Sequence, residues 1–198
     1  KLLSTPFFQP SLYKDLVQIG DGSYGVVYSC KLLGEAVAVK QMPLSKSFGD
    51  RCVLHDIFAE ILVLDKWKND DRICTLLDYG LDDENFWVVM KKYRTSLGDW
   101  RKKQKTKSWN QNLALYLNIY MEVLQKCRFL SDNNVNHYDI KLDNFLLDRL
   151  DPEATNDDLY NRAGKTVKCF HPATDDADVP YFSISIADFA EALVYTDE

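Results

Sequence analysis

From about Leu12 to Lys40 the pattern of apolar and polar positions is strand-like. VVYSCKLL (26–33) and EAVAVK (35–40) are dense in β-branched and aromatic residues, with a turn expected at Gly34-Glu35. The period changes in RCVLHDIFAEILVLDKW (51–67). There Leu54, Ile57, Phe58, Ile61, Leu62 and Leu64 recur at spacings of three and four, which predicts an amphipathic helix. ICTLLDYG (73–80) and FWVVMKKY (86–93) read as two more strands, separated by the turn-like LDDEN (81–85). After Tyr93 the character becomes helical. Leu97 to Lys103 predicts a short helix. Asn110 is expected to cap a long one in which Leu113, Leu117, Tyr120, Met121, Leu124 and Cys127 line one face. An Asp-rich segment (148–180) has weak periodicity, and YFSISIADFA (181–190) returns to period two. A strand-rich half with one helix, followed by a helix-rich half, is an α+β chain.

Composition narrows the class. With 46% apolar residues, 27% charged residues and only 14 Gly plus Pro (8 + 6) in 198, the chain can build a core as one domain or as two small lobes. A net charge of −6 argues against nucleic acid or an anionic membrane as the main partner. No apolar run approaches the roughly 20 residues that span a bilayer. The chain starts at Lys1, with no signal segment, and is expected to be part of something longer. Five scattered cysteines without a C-x-x-C pair suit free thiols in a reducing compartment.

Candidate chemistry begins at IGDGSYGVVY (19–28), where Gly20, Gly22 and Gly25 are spaced G-x-G-x-x-G. Such a loop can cover a phosphate, open a dinucleotide-binding helix, or simply turn a hairpin. Val26-Val27-Tyr28 open helices poorly, and Val26 stands where a Walker loop needs Lys followed by Ser or Thr. The loop therefore bends strand into strand. On the next strand lies Lys40, in VAVK (37–40). Glu60 falls on the buried-leaning side of the amphipathic helix, where a carboxylate is costly unless paired, and Lys40 is the obvious partner.

These residues resemble the small lobe of protein kinases: a glycine-rich loop with a valine two residues on (Val27), the strand lysine Lys40 and its helix glutamate Glu60. Two later stretches extend the resemblance. HYDIKLDN (137–144) is similar to the kinase catalytic loop H-R-D-x-K-x-x-N, and Asp188-Phe189-Ala190 to the D-F-G element. The resemblance implies a bilobal fold, with a small lobe over residues 1–93 and the start of a large lobe over 94–198. It implies Asp139 as acceptor of a substrate hydroxyl proton and Lys141 as a cation beside the transferring phosphoryl group. Asn144 and Asp188 would be ligands of Mg²⁺, with Mn²⁺ as an alternative ion. Lys40 and Glu60 complete the catalytic set. ATP would lie under Gly20, Gly22, Ser23, Tyr24 and Gly25. Its base would sit between Ile19, Val27, Ala38, Leu146 and a gatekeeper-like Met90, with hinge bonds from the backbone of Lys91, Lys92 and Tyr93. The lysine two residues after Asp139 resembles serine/threonine kinases, which implies protein substrates and an intracellular, cytoplasmic enzyme.

Four departures stand out. Tyr138 replaces the arginine that, in most of these enzymes, pairs with a phosphate on the activation segment, and Tyr cannot form a charge-assisted pair. Ala190 replaces a glycine, where a left-handed backbone would cost on the order of 1 kcal/mol. Asn144 and Asp188 are 44 positions apart (188 − 144), and the surplus at about 149–180 reads as a hairpin-tip insertion. That insertion is a solvated acidic loop or a site for a regulatory partner. Cys169 and His171 inside it are too few to hold a metal. The resemblance also stops ten residues after Asp188, before the rest of a large lobe. These departures keep open a rival reading, a catalytically weak pseudokinase acting as a nucleotide-binding scaffold.

Overall fold

A computed structural model of the chain describes residues 6–22, 25–44, 53–103, 109–149 and 182–195. Strands β1 (Tyr13–Gly22), β2 (Gly25–Leu32), β3 (Glu35–Pro43), β4 (Leu76–Leu81) and β5 (Asn85–Lys91) form one antiparallel sheet in the order β1-β2-β3-β5-β4. The β2–β3 turn falls at Leu33-Gly34, one residue earlier than expected, with φ of 52° and 93°. Positive φ at both central residues matches the right-handed twist of a two-residue hairpin.

Alternation along β3 and β5 divides the sheet's surroundings into two faces. Val37, Val39, Trp87 and Val89 point to one side and are covered by Phe8 and Tyr13. Phe8 stacks on Trp87 and on Tyr13, each at 4.8 Å between ring centroids. Met42, Phe86, Val88 and Met90 point to the other side and pack with Ile57, Val63 and Leu64 of α1 (Val53–Lys66). Lys40 shares that inner face, because it is two residues from Met42 in the pleat. Helix α1 is amphipathic as expected, but Leu54, Phe58 and Leu62 lie on its exposed side.

The second half contains β6 (Thr95–Ser96), α2 (Leu97–Lys103), α3 (Trp109–Asp132), β7 (Val135–Asn136), β8 (Phe145–Arg149), β9 (Phe182–Ile186) and β10 (Leu193–Val194). Strands β6, β8 and β9 make a small sheet, and β7 pairs with β10. The short α2 has the bounds its sequence suggested. α3 begins at Trp109, so Asn110 lies within the helix and does not cap it.

The apolar face expected on α3 is also corrected. Leu113, Leu117, Tyr120, Met121 and Leu124 are exposed, while Ile119, Phe129 and Leu130 enter the core with Val123 and Cys127 beside them. Side-chain spacing located a stripe, but packing on β7 and β9 selected the neighbouring one. That inner side carries the buried Lys126, which is ion-paired with Glu122 one turn earlier and so escapes the cost of an unpaired buried charge.

Phe145↔Ile186 through Arg149↔Phe182 pair antiparallel, so the long segment between β8 and β9 connects hairpin neighbours, as expected of an insertion there. The insertion itself, with Cys169 and His171, lies outside the described residues. The two halves are joined by main-chain bonds from Cys74 N–H to Ile186 O (2.8 Å) and from Ile186 N–H to Arg72 O (2.9 Å), and one apolar core runs through both. Cys30, Cys74 and Cys127 are free thiols. No helix among the described residues is long and apolar enough to cross a membrane. The fold is α+β, with a β-rich lobe followed by part of a helical one.

Candidate active site

The inner face of β3 and the first turns of α1 meet at a buried ion pair. Lys40 Nζ lies 2.5 Å from Glu60 Oε2 and 2.8 Å from Asp188 Oδ1, with Lys40 only 5% exposed and Glu60 1%. Lys40 thus ties strand, helix and the segment after β9 together at a single cation. Burial works against its charge, but the Glu60 and Asp188 carboxylates outweigh it and hold the ammonium charged. Burial pushes the Glu60 carboxyl upward, opposed by the Lys40 charge.

A second cluster forms where the chain leaves β7. Asp139 Oδ2 accepts from Lys141 Nζ at 2.6 Å and from Asn144 Nδ2 at 3.0 Å, and Asn144 Nδ2 also donates to the Asp139 main-chain oxygen at 2.9 Å. Partial burial works to raise the Asp139 carboxyl, but these donors prevail and hold it below the ordinary carboxylate range. Lys141 is raised, chiefly by its bond to Asp139. Asn144 sits in a short 3₁₀ turn (Leu142–Asn144), and its main-chain oxygen accepts from Ala187 N–H at 2.9 Å. This bond sets Asn144 beside the strand end that carries Asp188.

His137 locks the two segments from beneath. Its Nε2 donates to Ala187 O at 2.9 Å, its Nδ1 accepts from Asp139 N–H at 3.3 Å, and its ring lies against Phe189 at 4.8 Å. Burial holds it below the ordinary imidazole range, and the two bonds together suit the neutral Nε2–H tautomer.

The backbone carries its strain at unexpected places. Asp188 has φ of 65° and Tyr138 φ of 61°, both left-handed, whereas Ala190 is not among the positive-φ residues. The penalty expected at Ala190 therefore falls instead on the aspartate two residues earlier. Among the three glycines, only Gly25 is obligatory in this conformation. Its φ is 145°, and a Cβ there would lie 2.1 Å from Gln41 O. A Cβ at Gly20 would make ordinary contact with Val27, and at Gly22 it would come no nearer than 4.0 Å to Gly25 O. Ser23 and Tyr24 lie outside the described residues.

Other expected residues distribute as follows. Ala38 and Met90 are register partners on β3 and β5, and Val27 is the register partner of Lys40. Leu146 of β8 packs against the core from the second half. Ile19 on β1 is exposed. At the crossing between halves, Lys91 N–H is taken by Thr75 O at 3.0 Å, and Lys92 is exposed. Tyr93 turns its ring inward and accepts from Thr75 N–H at 3.2 Å.

Four neighbours escaped the sequence reading: His137 as a linker, Tyr195 against Tyr138, Asp148 paired with Lys91 at 2.6 Å, and Gly98 packed on Asp143. His137 had a signal, since it opens the HYDIKLDN stretch. The others are tertiary contacts with no local signature.

Among the described residues no three His, Cys, Asp or Glu side chains group as a metal site. Asn144 and Asp188 supply two oxygen-bearing groups, and Asn144 uses its amide N–H groups on Asp139, leaving its side-chain oxygen as the donor. An amide and one carboxylate fit a hard cation such as Mg²⁺, which usually completes its shell with water and substrate phosphates.

Comparison with known proteins agrees with the geometry. A family model described as "Protein kinase domain" matches residues 13–157. A probable serine/threonine-protein kinase of Dictyostelium discoideum is 43% identical over 201 residues, covering 100% of this chain and 8% of that protein. Serine/threonine-protein kinase PAK 1 of Mus musculus is 35% identical over 138 residues, covering 68% of this chain and 24% of that protein. Serine/threonine-protein kinase shk1/pak1 of Schizosaccharomyces pombe is 31% identical over 138 residues, covering 69% and 20%. The chain spans less than a quarter of the length of each of these relatives. Carrying the lysine–glutamate pair, the catalytic-loop pattern and the D-F-A element on this fold, the chain belongs to the protein kinase family.

Proposed function

We propose that the protein transfers the γ-phosphoryl group of ATP to Ser or Thr hydroxyls of protein substrates. The observation that carries the reading is Lys40 held charged between Glu60 and Asp188, with Asp139 and its Lys141 and Asn144 partners tied to the Asp188 segment by the bond from Ala187 N–H to Asn144 O. The residue roles follow the charge. Both donors to Asp139 land on Oδ2, so Oδ1 is assigned the proton of the incoming hydroxyl. As that proton leaves, the hydroxyl oxygen bonds to the γ-phosphorus and the bond to the ADP oxygen breaks. Negative charge then spreads over the phosphoryl oxygens, where the Lys141 ammonium offsets it. Lys40 orients the phosphates under the loop of Gly20, Gly22 and Gly25, with Ser23 and Tyr24 at its tip. Asn144 and Asp188 would hold Mg²⁺, which when bound neutralises phosphate oxygens.

The base would lie between Ile19, Val27, Ala38, Met90 and Leu146, with hinge bonds from the Lys91–Tyr93 backbone. The two lobes would meet after Tyr93, dividing the chain into 1–93 and 94–198. A cytoplasmic setting and a regulatory partner at the 149–180 insertion belong to the same proposal. The rival, a nucleotide-binding scaffold, draws on Tyr138 and Ala190.

Incorporation of labelled phosphate from ATP by the wild-type protein, beside Asp139→Asn and Lys40→Met, tests the reading. Both substitutions are expected to lower incorporation by at least a hundredfold. Unchanged incorporation would overturn the assigned roles. A melting temperature raised by ATP and Mg²⁺ in a protein without turnover would favour the scaffold.

A further inference from the structure

β7 and β10 pair through Leu193↔Asn136 and Val194↔Val135. The ladder continues into a bond from Tyr195 N–H to Asn134 O at 2.9 Å. Continued pairing brings two phenol hydroxyls together. Tyr138 Oη and Tyr195 Oη are 2.9 Å apart, linking positions 57 residues distant, and Asn136 Nδ2 donates to Tyr138 Oη at 3.3 Å.

Tyr138 also has its backbone at φ of 61°. A non-glycine residue keeps such a conformation only where its surroundings hold it there. It immediately precedes Asp139, so a relaxation of its backbone would move the carboxylate. The hydroxyl pair, the Asn136 bond and the β7–β10 ladder restrain that residue, together with the bond from Asp139 N–H to His137 Nδ1 that spans it. Every one of them is neutral, and none involves a cation that would seat a phosphate.

We propose that the Tyr138–Tyr195 hydroxyl pair is a phosphate-independent clasp that holds the catalytic-loop stretch before Asp139 in register with the segment after Asp188. Tyr138 and Tyr195 are positioning residues, acting through Asp139. The catalytic consequence rests on the phosphotransfer reading above, whereas the clasp itself does not.

The test uses the protein with Tyr138→Phe, Tyr195→Phe and both together, each keeping the ring and removing only hydroxyls. Hydrogen exchange at the Tyr195 amide and the β7–β10 ladder reads the clasp. kcat and KM for ATP, measured on phosphate-free protein, read its effect on Asp139. Each variant is expected to speed exchange and to lower kcat about threefold with KM for ATP unchanged, the size expected for one neutral hydrogen bond. The double variant is expected to match the singles, because the two hydroxyls act as one contact. Unchanged exchange in the single variants overturns the clasp, as does a double loss equal to the product of the single losses. Faster exchange with an unchanged kcat overturns the positioning role. If wild-type protein transfers no phosphate and Asp139→Asn changes nothing, the phosphotransfer reading fails. The exchange result then decides the clasp alone: acceleration supports it and an unchanged rate overturns it.

Discussion

His137 donates from Nε2 to the main-chain oxygen of Ala187 at 2.9 Å, joining the residue two before Asp139 to the residue just before Asp188. The bond needs a protonated Nε2, while Asp139 N–H needs an unprotonated Nδ1. Only the neutral ring satisfies both, and burial holds it neutral.

Stability should therefore fall on the acid side. With the folded value of His137 below the ordinary 6.5, the unfolded chain binds the extra proton first. Stability is fully present above about pH 6.5 and is lost as pH falls from there through the folded value. Chemical denaturation between pH 8 and pH 5 should show this limb. His137→Phe should flatten it while lowering stability at pH 8 by about 1–3 kcal/mol, because Ala187 O loses its donor. An unchanged acid limb in His137→Phe would assign the pH dependence elsewhere.

The buried pair at Lys40 predicts a non-additive pattern. Lys40→Met leaves Glu60 buried without its cation, and removing one partner of a buried pair costs about 3–5 kcal/mol. Adding Glu60→Gln removes the orphaned charge. The double variant should therefore be more stable than Lys40→Met alone, by urea unfolding, even though it carries one more substitution. Additive losses would mean that the two groups are not coupled in the fold.

Strands β2 to β5 and helix α1 follow from β-branched runs and apolar spacing, because both periods reflect burial on one face, whereas β1 is almost wholly exposed. Lys40 and Glu60 are pairable from sequence because a carboxylate beside Ile61 and Leu64 demands a partner, although Phe58 turns to the exposed side. The packed face of α3 is not legible in its spacing, because its richest apolar stripe, with Leu117, Tyr120 and Met121, is not the one packed on β7 and β9. Tyr195 could not be found at all. Its link to Tyr138 depends on strand register 57 residues apart, which no local pattern encodes.

The glycines of the loop should separate in their tolerance. Gly25→Ala puts a Cβ 2.1 Å from the Gln41 main-chain oxygen at a φ of 145°, so β2 or β3 must shift. A loss of about 2 kcal/mol or more is expected from combined strain and overpacking. Gly20→Ala meets only Val27 at 3.6 Å and should stay within about 1 kcal/mol of wild type. Equal melting temperatures for the two variants would contradict the close approach at Gly25.

Ala190 is fully buried and directly follows the buried Phe189. If glycine were needed for a left-handed backbone there, Ala190→Gly would relieve strain and stabilise the protein. The left-handed residue is instead Asp188, at φ of 65°, and Ala190 has no positive φ. Ala190→Gly should then do two unfavourable things. It removes a buried methyl group, and it widens the conformations open to the unfolded chain, together costing about 1–2 kcal/mol. Asp188→Ala keeps a non-glycine residue on the strained backbone but removes the carboxylate facing Lys40. Asp188→Gly instead relieves the strain while losing the same charge. Comparing these two by thermal unfolding isolates the backbone contribution: Asp188→Gly should be the more stable of the pair by about 1 kcal/mol, the cost of a non-glycine residue in the left-handed region. Stabilisation by Ala190→Gly, with no difference between the two Asp188 variants, would move the strain back to position 190.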